Sequence, residues 1–306
     1  MKNIIKKYHN LGKNNLFRLN RSLTGKDTLK TLKIFKAEIP EIKIKKIKCR
    51  SKVFDWVIPD EWNVKDAYIL DKNKKKILDF KLNNLHLVGY SIKQNKIISK
   101  KELKKKIHYL RKIPDAIPYV TSYYKKSWGF CMTYRQFKEI DKKYKKNDKF
   151  KIVIDASLKK NGYMNYGELI IKGRSDKEIL ISTYICHPSM ANNELSGPIV
   201  SMSLIEHFLK KKKLKKTLRF IFIPETIGSL AYLKLNLNHL KKKIIGGYVL
   251  TCIGDERSHS CMLSKFENAP SDNSLIKAYQ TLKIKKFKVF SFLERGSDER
   301  QYNSPG

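Results

Sequence analysis

Three side chains able to bind a metal or move a proton follow apolar runs in the second half of the chain. His187 follows "KEILISTYIC", Glu225 follows "TLRFIFIP" and Asp255 follows "GGYVLTCIG". Asp298, in "RGSDERQY", adds a further carboxylate. Zinc favours imidazole and carboxylate donors, and a catalytic zinc keeps one position open for water. The ion lowers the pKa of that water, and a nearby carboxylate takes its proton as the hydroxide attacks a carbonyl. Each residue also has a purely structural reading. His187 can be a hydrogen-bonded loop residue, Glu225 can cap a helix starting near Ser229, and Asp255 can open a turn. The shared position after predicted strands favours a site, and both readings stay open at this point. Cys186, beside His187, is predicted to be a buried structural thiol, because neighbours on a strand point to opposite faces.

The elements that would position these groups alternate from about residue 150. Strands are predicted at 150–154, 167–172, 178–184, 217–223 and 247–253, with helices at 198–210, 229–235 and 272–282. Strand-helix alternation with continuous apolar strands predicts an α/β fold with a mainly parallel sheet covered on both faces. Ligands bind such sheets beyond the carboxyl ends of the strands, where His187, Glu225 and Asp255 fall. Residues 1–47 read as helical, with Thr24 and Asp27 at the cap of a second helix and Pro40 beyond its end. Residues 50–100 read as a β-rich insertion with Trp56 and Trp62 as candidate exposed aromatics, and "KKELKKKIHYLRKI" reads as a helix ended by Pro114.

The 306 residues are 41 % apolar, enough for a substantial core. No secretory leader and no run long enough to span a membrane is present in the sequence. Five cysteines without CxxC spacing predict no disulfide framework and suit a reducing cytoplasm. The net charge of +38 raises the question of polyanion binding. The excess is mostly lysine spread along the chain, arginine is scarce, and no nucleic-acid-binding motif is present, so no specific nucleic-acid partner is expected. The dense runs "KKKLKK" and "LKKKI" fall where surface helix ends and loops are expected.

Several segments carry a family resemblance: "VFDWVIPDEWNVKDAYI", "NNLHLVGYS", "DAIPYVTSYYKKSWGFC", "YGELIIKG", "STYICHPSMANNELSGP", "FIPETIGSLAYL", "LTCIGDERS" and "RGSDERQYNSPG". Over them the chain resembles the bacterial aminopeptidase-like proteins of the zinc exopeptidase clan, which occur beside surface-polysaccharide biosynthesis genes. The resemblance implies a three-layer α/β/α, phosphorylase/hydrolase-like sandwich with a small β-rich insertion. It divides the chain into an N-terminal helical part at 1–49, an inserted domain at 50–100 and a main domain at 101–306. It also implies a chain that stops before the family's last ligand, a histidine in a Tyr-His-Thr/Ser context.

The implied chemistry is a zinc-activated water with Glu225 as general base, supported by Ser297 and Asp298 and cleaving an amide bond. The implied substrate is a small peptide, an aminoacyl compound or an amide-bearing sugar. His187 stands at the clan's first zinc ligand. In the clan motif A-x-D-D/N-x-S-G an aspartate bridges two metals, and here "ANNELSG" places Asn193 at that position. Glu194 and Asp255 are the substitute donors. The Glu-Glu pair of the clan reads Glu225-Thr226, keeping the base and losing a ligand. One zinc ion is therefore the most expected. The alternative is a catalytically inactive binding protein on the peptidase scaffold.

Overall fold

The computed structural model describes residues 2–211 and 213–303, so Lys212 of the basic run and the last three residues of the final resembling segment lie outside it. Nine strands build the two main sheets: β1 (Lys43–Lys48), β2 (Glu61–Leu70), β3 (Lys76–Asp79), β4 (Gln94–Ser99), β5 (Lys149–Lys159), β6 (Tyr163–Ile171), β7 (Ser175–Tyr184), β8 (Lys216–Ile223) and β9 (Ile244–Val249). Six longer helices accompany them: α1 (Lys2–Leu11), α2 (Lys26–Glu38), α3 (Tyr134–Lys143), α4 (Ser196–Leu209), α5 (Ile227–Lys243) and α6 (Pro270–Thr281).

The larger sheet has the order β1-β6-β8-β7-β9. β7 pairs in parallel with β8 and with β9, whereas β1-β6 and β6-β8 are antiparallel. The sheet is thus mixed, and the mainly parallel arrangement holds only for its β8-β7-β9 side. Alternation along the strands divides the core. Leu169, Ile181, Phe220 and Phe222 face Leu32 and Phe35 of α2, Met202 and Ile205 of α4, and Tyr8 of α1. Tyr166, Leu180, Ile221 and Ile223 face Tyr232 and Leu240 of α5. Burial of both faces gives the three-layer α/β/α sandwich.

Four expectations are corrected here. Residues 150–154 belong to the second sheet, of order β3-β2-β5-β4, where β5 pairs antiparallel with β2 and β4. The β-rich unit therefore takes in residues well beyond 100. Residues 43–48 are not helical, because the "KIKKIK" alternation makes β1, the edge of the larger sheet. Thr24 and Asp27 do not cap α2, whose N-cap is Gly25 at φ 105°. A Cβ there would meet the Trp62 carbonyl at 2.3 Å, so glycine is needed for that approach. Finally, the helix expected over 100–113 stops at Lys104, because Ile107 is buried and pairs in parallel with Phe130. Local propensity loses to that pairing. Trp62 is core, 3 % exposed, while Trp56 is half-exposed.

Charge is also buried inside the larger sheet. Arg219 on β8 forks onto Glu178 of β7 at 2.5 and 3.1 Å and reaches Glu168 of β6 at 2.7 Å, with all three side chains at most 7 % exposed. The Tyr232 hydroxyl donates to Glu168 at 2.6 Å. Removing the cation would leave Glu178 with only the half-exposed His239, and Glu168 with the half-exposed Lys45 and the Tyr232 hydroxyl. Arg219→Met is expected to lower stability by about 3–5 kcal/mol in urea unfolding, and a loss below about 1 kcal/mol would show that the carboxylates find other partners.

Candidate functional site

The parallel pairing of β7 and β8 matches Tyr184 with Ile223, so the two strands end side by side. Pairing continues one step further, with the Ile185 N–H donating to the Ile223 carbonyl at 3.0 Å. Two residues beyond Ile185 and Ile223 stand His187 and Glu225, their Nε2 and Oε2 atoms 3.4 Å apart. Strand register alone therefore brings these two predicted residues together.

The turn after His187 leads into α4 and buries Glu194. Glu194 Oε2 accepts the His187 backbone N–H at 2.8 Å and lies 2.7 Å from His187 Nδ1. Its other oxygen accepts from Arg21 Nε at 3.2 Å, with both side chains at 0 % exposure. Arg21 Nη1 donates to the Leu16 carbonyl at 2.5 Å, and its Nη2 has no partner among the described residues. The rings of Tyr119 and Tyr184 pack edge-on to His187 at 5.1 and 5.2 Å. Burial lowers the His187 pKa, but the contacts with Cys186 and Glu194 outweigh it and hold the imidazole above its ordinary range. Cys186 acts this way only as a thiolate, and burial pushes its thiol up to about 11. Glu194 is therefore the operative partner at neutral pH.

Glu225 is held from behind. Its Oε1 accepts from the Ser297 hydroxyl at 2.7 Å, and its backbone N–H donates to Cys186 Sγ at 3.2 Å. Thr226 then sits at φ 59° and ψ −76°, and the Ile227 N–H donates to the Glu225 carbonyl at 2.7 Å. That is a γ-turn with a β-branched residue at positive φ, a strained conformation. Asp298 stabilises it, because its Oδ1 accepts from the Thr226 N–H at 2.7 Å and the Ser229 hydroxyl at 2.9 Å. Asp298 is fully buried and its Oδ2 has no partner among the described residues. Burial, opposed by the Thr226 N–H and reinforced by the Glu225 charge, pushes its pKa up to about 7.

The remaining candidates lie elsewhere. Asn193 is exposed, with its Nδ2 3.7 Å from Cys252 Sγ and its carbonyl accepting from the Thr251 hydroxyl at 3.2 Å. Asp255 is gripped by Arg257 at 2.9 and 2.7 Å, which holds its carboxyl down to about 2. It does not directly follow a strand, because β9 ends at Val249 and an irregular loop intervenes. Nor do Cys186 and His187 point apart as expected. Sγ lies 3.7 Å from Nδ1, because β7 ends at Tyr184 and strand alternation no longer applies. Arg21, Tyr119 and Tyr184 were not singled out from the sequence. Arg21 lies 173 residues from its partner Glu194, and no local spacing signals such a contact.

This donor set can be tested against zinc. Donor atoms of Cys186, His187 and Glu194 lie within 4.8 Å of one another. However, Glu194 is committed to Arg21 and to two groups of His187, and Cys186 Sγ lies on the Nδ1 side of the ring, which faces Glu194, where it accepts the Glu225 backbone N–H. Two donors remain, His187 Nε2 and Glu225 Oε2. Their 3.4 Å separation is close to the roughly 3.3 Å expected of tetrahedral ligands about 2.0–2.1 Å from one zinc. A catalytic zinc takes three protein ligands. The described residues therefore do not complete a one-zinc centre, and they offer no bridging carboxylate for two.

The fold is that of aminopeptidase-like α/β/α domains. The chain belongs to a family described as a domain of unknown function, DUF4910, whose match runs over residues 9–306. It is 42 % identical over 95 % of its length to a Clostridium acetobutylicum protein named for polysaccharide biosynthesis and an aminopeptidase-like domain, and spans 65 % of that protein. A crystal structure from Clostridium acetobutylicum, bearing a provisional peptidase name, is 41 % identical and superposes with a TM-score of 0.92, over all of this chain and 70 % of the other. A zinc aminopeptidase from Bacillus subtilis shares the fold at a TM-score of 0.65 and 11 % identity, over 94 % of this chain and 83 % of that one.

Two outcomes test this geometry. Glu194→Ala leaves Arg21 buried and unpaired, and is expected to destabilise the metal-free protein by about 3–5 kcal/mol in urea unfolding. The second concerns Asp298. Because its folded pKa is raised, its stabilising contribution is complete below the unfolded value of about 3.9. It is lost as pH rises through about 7. Asp298→Asn keeps the Oδ1 acceptor and does not titrate. Its stability relative to the natural protein should rise between pH 4 and 7.5, and a pH-independent difference would place the Asp298 pKa near its ordinary value.

Proposed function

We propose that this chain is the aminopeptidase-like domain of a surface-polysaccharide biosynthesis protein, acting in the cytoplasm. Its site at His187 and Glu225 binds an amide-bearing sugar or aminoacyl group without hydrolysing it. The observation that carries the reading is the commitment of Glu194 to Arg21, together with the neutral, outward-lying Asn193. An amide ligand would find a carboxylate acceptor in Glu225 and an imidazole donor in His187, whose ring Tyr119 and Tyr184 pack against. The name of the Clostridium acetobutylicum relative supports the polysaccharide setting, and five free cysteines suit a reducing compartment. No helix among the described residues is long and apolar enough to cross a membrane.

One observation favours a second reading, a one-zinc hydrolase in which His187 holds the ion, donors outside the described residues complete it, and Glu225 is the general base. The Glu194 carboxylate on His187 Nδ1 leaves Nε2 for a metal, the arrangement by which carboxylates orient zinc-bound histidines. Zinc content after dialysis and hydrolysis of aminoacyl amides separate the two. Binding of an N-acetylated sugar should shift the His187 NMR signals, with less than one tightly held zinc per chain and no turnover. One zinc per chain, with turnover falling about 10²–10⁴-fold in Glu225→Gln, would establish the hydrolase instead.

A further inference from the structure

A concave site lies where the β-rich unit meets the 119–126 loop. The cleft has a volume of about 400 Å³, within the range of small-molecule sites. Its lining includes Ile58 and Pro59, both buried, and the buried Tyr90. Tyr123 and Tyr124 line it as well. Arg50, Lys125 and Lys126 supply its cations, and Asp60 its one carboxylate.

The charge is unbalanced in one direction. Asp60 is taken by Arg50, which reaches its two oxygens at 2.7 and 3.0 Å. Lys125 and Lys126 are exposed, and neither ammonium has an ion-pair partner among the described residues. Two uncompensated cations therefore face a cleft whose only acid is already neutralised.

The rings are arranged for a hydroxylated ring with one C–H face. Tyr124 is 52 % exposed, stands 6.2 Å from the half-exposed Trp56, and donates its hydroxyl to the Val57 carbonyl at 2.6 Å. That hydrogen bond fixes the ring while leaving much of it open to solvent. Aromatic faces carry partial negative charge and attract the weakly positive C–H groups of a sugar ring.

The cleft is also linked to the site already described. Tyr123 packs edge-on against Tyr90 at 5.3 Å, its hydroxyl lies 3.3 Å from that of Tyr119, and Tyr119 packs on His187. A ligand in the cleft would thus be separated from His187 by two tyrosines in contact.

We propose that this cleft binds an anionic pyranose, a sugar ring bearing a carboxylate or a phosphate. The choice of a sugar, rather than another anion of that size, rests on the polysaccharide reading above. The cleft's limited volume and its two free lysines favour one sugar unit over a long polyanion.

Calorimetric titration of the full chain with glucuronic acid, glucose 1-phosphate, glucose and inorganic phosphate tests the assignment. At least one anionic sugar should bind about tenfold more tightly than glucose, as two half-solvated charge pairs allow. The stronger of the two names the anion. Inorganic phosphate should bind more weakly than either. The double variant Lys125→Ala/Lys126→Ala should remove the preference for the anionic sugar, and Tyr124→Ala should weaken all three sugars, with the melting temperatures unchanged. Equal affinity for glucose and both anionic sugars, no binding of any sugar, or phosphate binding as well as glucose 1-phosphate would overturn the proposal. So would unaltered binding in either variant. His187 signals that still shift with an N-acetylated sugar, when cleft binding fails, would leave the amide-site reading standing. Cleft binding with silent His187 signals would sink that reading alone.

Discussion

A buried arginine on a buried carboxylate is the constraint around which this site is organised. Arg21 comes from the segment before α2, Glu194 from the turn before α4, and the His187 backbone and ring complete the cluster. Arg21 and Glu194 are both inaccessible to water, so neither can lose the other without leaving a charge stranded. The cluster fixes the His187 ring, and register with β8 then places Glu225 beside it. It also withdraws Glu194 from metal chemistry, because an oxygen that neutralises a guanidinium is a poor donor to a cation.

Glu225 is positioned by a different device. A strained γ-turn at Thr226 is tolerated because the buried Asp298 takes the amide that the turn exposes. The Ser297 hydroxyl holds one carboxylate oxygen and leaves the other toward His187. Two independent supports, one under each residue, maintain a contact between side chains far apart in sequence. Both supports are substantially buried, as expected where strain is maintained by the surrounding structure.

Much of the fold could be read from the sequence because apolar runs such as "TLRFIFI" and "KEILIS" become strands buried on both faces. Where the reading failed, a distant partner decided the outcome. The 150–154 run looks like any other buried strand, and only its pairing with β2 and β4 assigns it to the second sheet. Ile107 leaves a good helical sequence for Phe130. At the site, His187, Glu225, Ser297 and Asp298 were visible and are brought together. Asp255 falls in a loop rather than at a strand end, because β9 ends earlier than its apolar run suggested. Arg21 carried no signal, since an isolated arginine in "LNRSL" looks like any surface residue until the fold buries it.

The edge position of β1 has a consequence for how the molecule is made. Its partner β6 emerges from the ribosome only after the whole β-rich unit has been synthesised, so β1 waits unpaired through a large loop closure. An unpaired strand is a template for association with other chains. Four of its six residues are lysines, set among Ile44 and Ile47. Their mutual repulsion keeps nascent copies from zipping together while leaving the isoleucines to bind the right neighbour later. In this strand, part of the chain's large lysine excess acts as a safeguard during synthesis.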